Sequence, residues 1–232
     1  MTISNDTRGR VKKLGEPIAL ALGRLGLTPD GLTLIGFGIT AVGAVLLALQ
    51  FWLAGGLVVF SGGVFDMLDG TLARATGRAS RFGAFMDSVF DRLGEALVYV
   101  GLVAGLHASG WVDAPTYAAA AMAGAFLVSY VRAKAEGLGF SPGTGMAAVG
   151  IMPREIRLVI LCGGLVLGGL IGADLVVPEG GFHGAGGAAL PLGMLVIEGS
   201  LAIIAVGAAI TVVQRVLHVR AQAVGEAGNR AS

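Results

Sequence analysis

The sequence predicts an all-α, polytopic membrane protein: six transmembrane helices with an N-terminal amphipathic juxtamembrane helix ahead of them. Three observations carry this reading. Of the 232 residues, 55% are hydrophobic and only 13% are charged, against roughly 25% charged in a typical soluble domain. Largely apolar stretches that approach the 20 or so residues needed to cross a bilayer recur along the chain, at 31–53, 55–75, 83–107, 115–137, 156–174 and 190–216. Forty glycines and abundant alanine supply the small residues that let helix backbones approach closely where no hydrophobic force drives them together.

The elements follow in order. Over residues 8–26, Arg8, Arg10, Lys12, Lys13 and Arg24 intersperse with Val11, Leu14, Ile18, Leu20, Leu22 and Leu25, and Thr28-Pro29-Asp30 marks a helix boundary. This pattern describes an amphipathic helix on the cytoplasmic leaflet, so residues 1–30 form a cytoplasmic N-terminal segment. The segment lacks the continuous apolar core of a cleavable signal peptide, and the first span is expected to act as the insertion signal. Spans two and three carry aspartates, yet the connections around them are too short for a soluble domain, so they cross the membrane carrying charge. Gly101 and Gly105 in the third span, and Gly164 and Gly168 in the fifth, form small-xxx-small patterns expected to serve chiefly as internal helix contacts. Residues 175–189, with Pro178 and many glycines, read as a flexible external loop. The six spans make one domain over 31–217, and 218–232 form a cytoplasmic tail, disordered from about 221.

All sixteen Lys and Arg residues fall on one side of this scheme, and the connections near 54, 108–114 and 175–189 have none. By the positive-inside rule both termini are cytoplasmic. A net charge of +1 gives no argument for a nucleic-acid partner. The single cysteine, Cys162, sits in an apolar run and reads as a structural thiol.

Ionisable residues inside spans cost roughly 2.5–3.5 kcal/mol each on insertion scales and mark functional sites by default. At 100° per residue Asp66, Asp69, Gly70 and Ala73 share one face of span two with Arg74 at its edge, and Gly83, Asp87 and Asp91 share one face of span three. The two spans run in opposite directions across the 74–83 connection, so both stripes lie at one depth near the inner boundary and can face each other. Four clustered carboxylates repel unless bridged by cations, and an all-oxygen donor set without His or Cys suits Mg²⁺ or Mn²⁺, singly or as a pair. Gly70, Ala73 and Gly83 leave room beside the carboxylates, and Arg74 offers a cation suited to phosphate oxygens. Salt bridging to Arg74, Arg78, Arg81 and Arg92 would explain one or two carboxylates, not four in register.

Asp66-Met-Leu-Asp69-Gly70-Thr-Leu-Ala73-Arg74, then eight residues, Gly83, three residues, Asp87, three residues and Asp91 resembles the signature of the CDP-alcohol phosphotransferase family at all of its fixed positions. The resemblance implies a six-span, homodimeric membrane enzyme that displaces CMP from a CDP-linked donor, usually CDP-diacylglycerol, with an alcohol. It implies that Asp66, Asp69 and Asp87 ligate two metals on the donor diphosphate. Asp91 would complete the second site and act as the general base on the acceptor hydroxyl. Gly70, Ala73 and Gly83 would accommodate the cytidine, Arg74 would hold the diphosphate, and Thr33 would approach the nucleotide.

The acceptor is read from a second basic cluster. Arg132 and Lys134 end span four and Arg154 and Arg157 open span five, four cations toward one cavity, which suit an acceptor with its own phosphate. The run Ser129-Tyr130-Val131-Arg132-Ala133-Lys134-Ala135-Glu136-Gly137-Leu138-Gly139 is similar to the corresponding segment of the family's prokaryotic phosphatidylinositol phosphate synthases, whose acceptor is inositol 1-phosphate. Here Pro153 precedes the Arg-x-x-Arg of span five, where similar sequences often carry proline inside it. That branch implies a prokaryotic cell membrane with the site on its cytoplasmic side. Glycerol 3-phosphate, the acceptor of phosphatidylglycerol phosphate synthases, is the alternative within the family. A divalent-cation transporter is the alternative outside it, disfavoured because transporter sites lie near the bilayer midplane.

Overall fold

In the computed structural model the described residues are 16–140, 146–172 and 192–231, and every regular element among them is helical. A short helix α1 (16–24) precedes α2 (Pro29–Ala48), α3 (Trp52–Ala75), α4 (Arg81–Ala108), α5 (Ala114–Gly137), α6 (Arg154–Leu170) and α7 (Leu192–Ala231). A 3₁₀ turn, Met146–Ala148, stands before α6. By length and composition α2, α3, α5 and the Leu192–Val224 part of α7 are four helices able to cross a membrane, and the chain is a multi-pass membrane protein. The acidic α4 and the 17-residue α6 fall outside that set. The external loop expected at 175–189 and residues 8–15 of the amphipathic stretch lie outside the described residues.

Local chemistry sets the helix ends. Thr28 caps α2 by accepting the Gly31 N–H at 3.1 Å, with Pro29 in the first helical position. Ser80 caps α4 in the same way, accepting the Gly83 N–H at 2.9 Å. Two expected boundaries move. The first span closes at Ala48 rather than 53, because Gln50 adopts φ of +67°, a left-handed conformation that reverses the chain within three residues. The disordered tail expected from 221 is instead helix: α7 runs on to Ala231, and its 217–224 stretch has neither Pro nor Gly to stop it.

The six long helices close into a ring: α2 packs on α3, α3 on α6, α6 on α7, α7 on α5, α5 on α4, and α4 back on α2. Glycines set how closely neighbours approach. A Cβ on Gly101 or Gly105 of α4 would collide with the carbonyl oxygens of Ala44 or Leu47 on α2. On α6, a Cβ at Gly164 would collide with Ser200 of α7, and one at Gly168 would lie 2.7 Å from the Gly193 carbonyl. Both small-xxx-small patterns are thus internal seams. On its other face α2 meets α3 through Gly43, Gly55 and Gly62, so α2 wedges between α3 and α4, which hardly touch each other.

One half of the ring is mainly apolar, filled by Trp52, Tyr99, Leu102, Leu106, Leu161, Leu165, Ile197 and Leu201. The free thiol Cys162 is buried in that core. Toward the other end, where α3 and α5 finish and α4 and α6 begin, the interior turns polar.

Candidate active site

Because α3 ends where α4 starts, Asp66 and Asp69 on one helix meet Asp87 on the next without the two backbones packing together. One oxygen from each of these three carboxylates lies within 4.8 Å of the other two. Asp69 is the most enclosed, 4% exposed. It accepts the Thr33 hydroxyl from α2 at 2.5 Å and the backbone N–H of Gly70. Thr33 therefore acts on the acidic cluster, through Asp69, while the cap of α2 is Thr28. The wedge helix reaches past its glycine seam to fix one carboxylate.

Three converging carboxylates without His or Cys form a hard-oxygen donor set that fits Mg²⁺ or Mn²⁺. The same convergence is repulsive between anions in an apolar setting, so a divalent cation resolves a conflict that the helices impose. Asp91, one turn beyond Asp87, lies outside that mutual convergence but shares Arg154 with Asp66. Its Oδ1 pairs with Arg154 Nη2 at 2.8 Å, and its Oδ2 lies 3.5 Å from Arg92 Nη2. Among the described residues the buried Oδ1 has a charge partner but no well-aligned hydrogen bond. Such a carboxylate keeps lone-pair capacity for a proton or a ligand.

The other positions expected beside the nucleotide, Gly70, Ala73, Arg74 and Gly83, are more exposed than Asp69 and flank the cluster. The Arg74 guanidinium lies over Gly70, where a Cβ would come within 3.3 Å of its Nη1, and Arg74 and Ala73 face outward to differing degrees. Gly83 is held in the α4 cap, and a Cβ there would stand 3.1 Å from Ser80 Oγ and 3.5 Å from Asp30 Oδ1.

The four cations expected for an acceptor phosphate divide. Arg154 reaches the centre, donating to Asp66 Oδ2 at 2.6 Å as well as pairing with Asp91. Arg157, on the same face of α6 one turn on, is only 2% exposed. Its Nη2 and Nε donate to Glu95 Oε1 at 2.7 and 3.1 Å, and its Nη1 to the Met152 carbonyl at 3.1 Å. Arg157 is thus tied to the protein, deeper in the ring than the sequence places it. Arg132 is exposed and pairs with Glu136 at 2.9 Å, and Lys134 is exposed beside it. A cavity lined by Thr33, Asp66, Asp91, Glu95, Arg154 and Arg157 runs inward from the carboxylates; Arg132 and Lys134 do not line it.

Three polar groups that sequence reasoning passed over shape this end of the ring. Arg215 of α7, 3% exposed, donates to the carbonyls of Val128 on α5 and Val149. Thr211 accepts the Met152 N–H at 3.0 Å, and Gln214 the Ile151 N–H at 3.2 Å. Together they fasten the chain entering α6 to α7. The signal was present for Arg215, an ionisable residue inside an apolar span, which is the criterion that exposed the aspartates.

Comparison with known proteins agrees with this fold. The chain is 39% identical over 154 residues to archaetidylinositol phosphate synthase of Pyrococcus horikoshii, covering 66% of this chain and 77% of that one. It is 37% identical over 220 residues to phosphatidylinositol phosphate synthase of Cutibacterium acnes, covering 90% and 93%. Its fold is similar to the crystal structure of Mycobacterium tuberculosis phosphatidylinositol phosphate synthase in complex with manganese and citrate, with a TM-score of 0.70, 30% identity and 88% of each chain covered. The same enzyme with CDP-DAG bound matches at a TM-score of 0.68 and 28% identity, covering 89% of this chain and 94% of that one. A family model described as CDP-alcohol phosphatidyltransferase matches residues 26–180, which take in the acidic cluster, its glycine rim and Arg154, and the chain belongs to that family.

Proposed function

We propose that this protein transfers the phosphatidyl group of CDP-diacylglycerol to a phosphorylated inositol, inositol 1-phosphate, releasing CMP. The observation that carries the reaction is the three-carboxylate convergence of Asp66, Asp69 and Asp87 beside Asp91 and Arg154. The acceptor follows from the relatives: those named above act under names that differ in the lipid and share inositol phosphate.

In this reading Asp66, Asp69 and Asp87, with Asp91 toward the second position, hold two divalent ions, Mg²⁺ or Mn²⁺. Bound there, the ions supply charge neutralisation on the donor diphosphate and stabilise the CMP leaving group. The chain's own side chains do the rest. Thr33 fixes Asp69, the Gly70–Ala73–Gly83 rim leaves space for the cytidine, and Arg74 lies over that rim for the diphosphate. Asp91 takes the proton of the acceptor hydroxyl as its oxygen attacks phosphorus and the phosphoanhydride bond to CMP breaks. Arg154, already among the reacting groups, receives the acceptor phosphate, with Arg132 and Lys134 drawing it in from the rim and Arg157 holding the floor of the cavity.

Six crossings of α2–α7 with α1 on the cytoplasmic leaflet complete the proposal. Ala19 of α1 is buried with Leu32, Leu68 and Leu72, at the end of α3 that carries Arg74, while Ile18 and Leu25 are exposed apolar groups suited to lipid. The basic residues at the site end of the ring support a cytoplasmic site under the positive-inside rule. Within this reading 1–30 is the juxtamembrane segment, 31–217 the catalytic domain and 218–232 the cytoplasmic end. In this reading the protein is a homodimer in a prokaryotic cell membrane.

The test is CMP release by purified protein in detergent with Mn²⁺ or Mg²⁺, CDP-diacylglycerol and one acceptor at a time. Turnover is expected with inositol 1-phosphate and not with unphosphorylated inositol or serine. Faster turnover with glycerol 3-phosphate would reassign the acceptor, and no turnover with any of the four would refute the enzyme reading.

A further inference from the structure

Below the reacting groups the ring is crossed by a buried ionic circuit. Asp91 and Glu95 stand four residues apart on one face of α4, and Arg154 and Arg157 three apart on one face of α6. These two helices pack chiefly on other neighbours and face each other across the cavity. Two ion pairs span that gap: Asp91–Arg154 at 2.8 Å near the mouth and Glu95–Arg157 at 2.7 Å deeper in.

Glu95, its side chain 12% exposed, divides its two oxygens. Oε1 takes Arg157, and Oε2 takes Arg92 Nη1 at 2.5 Å. Arg92 Nη1 also donates to Ser129 on α5 at 2.6 Å, and its Nη2 turns back to Asp91 Oδ2 at 3.5 Å. Asp91 Oδ2 is thus linked to Glu95 through Arg92, while its Oδ1 meets Arg154, which shares α6 with the Glu95-bound Arg157. A buried ion pair is a weak device for stability, since an apolar pair of equal volume holds helices as well. Its use here is directional: it fixes where two guanidinium groups point.

We infer that Glu95 is a positioning residue for Asp91, holding Arg92 and Arg157 so that the carboxylate is aimed and Arg154 is kept at the mouth. This deepens the proposed reaction and rests on it. In this assignment Glu95 acts through its two arginines.

The test compares wild type, Glu95→Gln and the charge-neutral pair Glu95→Gln/Arg157→Gln in the same CMP-release assay. Mn²⁺ affinity is read by electron paramagnetic resonance and thermal stability in detergent. Glu95→Gln is expected to lower kcat about 10- to 100-fold, the range for displaced supporting contacts, with KM for both substrates within about 3-fold and Mn²⁺ affinity unchanged. The double variant removes the unpaired buried charge and is expected to regain thermal stability while its kcat stays low. A merely structural role predicts that kcat tracks thermal stability across the variants, the loss of Arg157 from the cavity floor showing only in the acceptor KM. Wild-type kcat in Glu95→Gln, a loss confined to KM, or recovery of kcat in the double variant would each overturn the positioning role while leaving the reaction standing. A wild type that releases no CMP overturns the reaction, and the positioning role with it.

Discussion

At the scale of single residues, Asp69 and Asp91 separate by surroundings although they share a chemistry. Asp69 is enclosed and held by Thr33 at 2.5 Å, so Asp69→Asn is expected to weaken Mn²⁺ binding by 10-fold or more, with turnover falling in step, as titration against Mn²⁺ will show. Thr33→Val leaves the carboxylate without its hydroxyl partner, and an affinity loss of about 10-fold is expected in the same titration. Asp91→Asn keeps the Asp66–Asp69–Asp87 trio and is expected to retain Mn²⁺ at that trio, with only a second ion weakened, while kcat falls at least 100-fold, the lower end of the range for losing a general base; retained kcat would remove Asp91 from that role. The cluster was legible in the sequence because charge inside a span is costly and helical periodicity says which charges share a face. The partners were not. Nothing in the spacing says that Thr33 on α2 bonds Asp69, or that Arg154 rather than Arg157 reaches the carboxylates, since both depend on how far apart α2, α3, α4 and α6 stand.

At the scale of elements, that distance is set by glycine seams. Gly105 of α4 presses on the Leu47 carbonyl of α2, whereas a Cβ on Gly163 of α6 would meet nothing within 4 Å. Gly105→Ala is therefore expected to destabilise the protein by about 1–3 kcal/mol through overpacking against a backbone that cannot yield, and Gly163→Ala to leave its melting temperature in detergent unchanged. Equal effects at the two sites would deny the seam its part in setting helix spacing. The sequence displayed Gly101–Gly105 and Gly164–Gly168 as close-packing patterns because spacing alone defines them. It placed the end of α2 too late because hydropathy runs on through Leu49, Phe51 and Trp52 without registering the left-handed Gln50.

At the scale of the whole molecule the all-helical class and the membrane were plain from composition, while the order of helices around the ring was not. Hydropathy counts apolar stretches and is silent on which pack together, so the pairing of α3 with α6 and of α5 with α7 emerges only in three dimensions. The closure depends on α7, whose Thr211, Gln214 and Arg215 grip the stretch entering α6. Gly150 in that stretch has φ of +114°, and a Cβ there would collide with Thr211. Thr211→Val strands the Met152 N–H and is expected to cost about 1–3 kcal/mol, read as a lower unfolding temperature; an unchanged one would show that the grip adds nothing to stability. This latch also dates the site during synthesis. The aspartates of α3 and α4 meet α2 early and α6 can dock on α3, but the stretch leading into α6 and Arg154 lacks its own hydrogen-bond partners until α7 leaves the ribosome and inserts. A nascent chain therefore owns its anionic trio long before its cationic counterpart is locked in place, and competence for phospholipid chemistry arrives with the last helix.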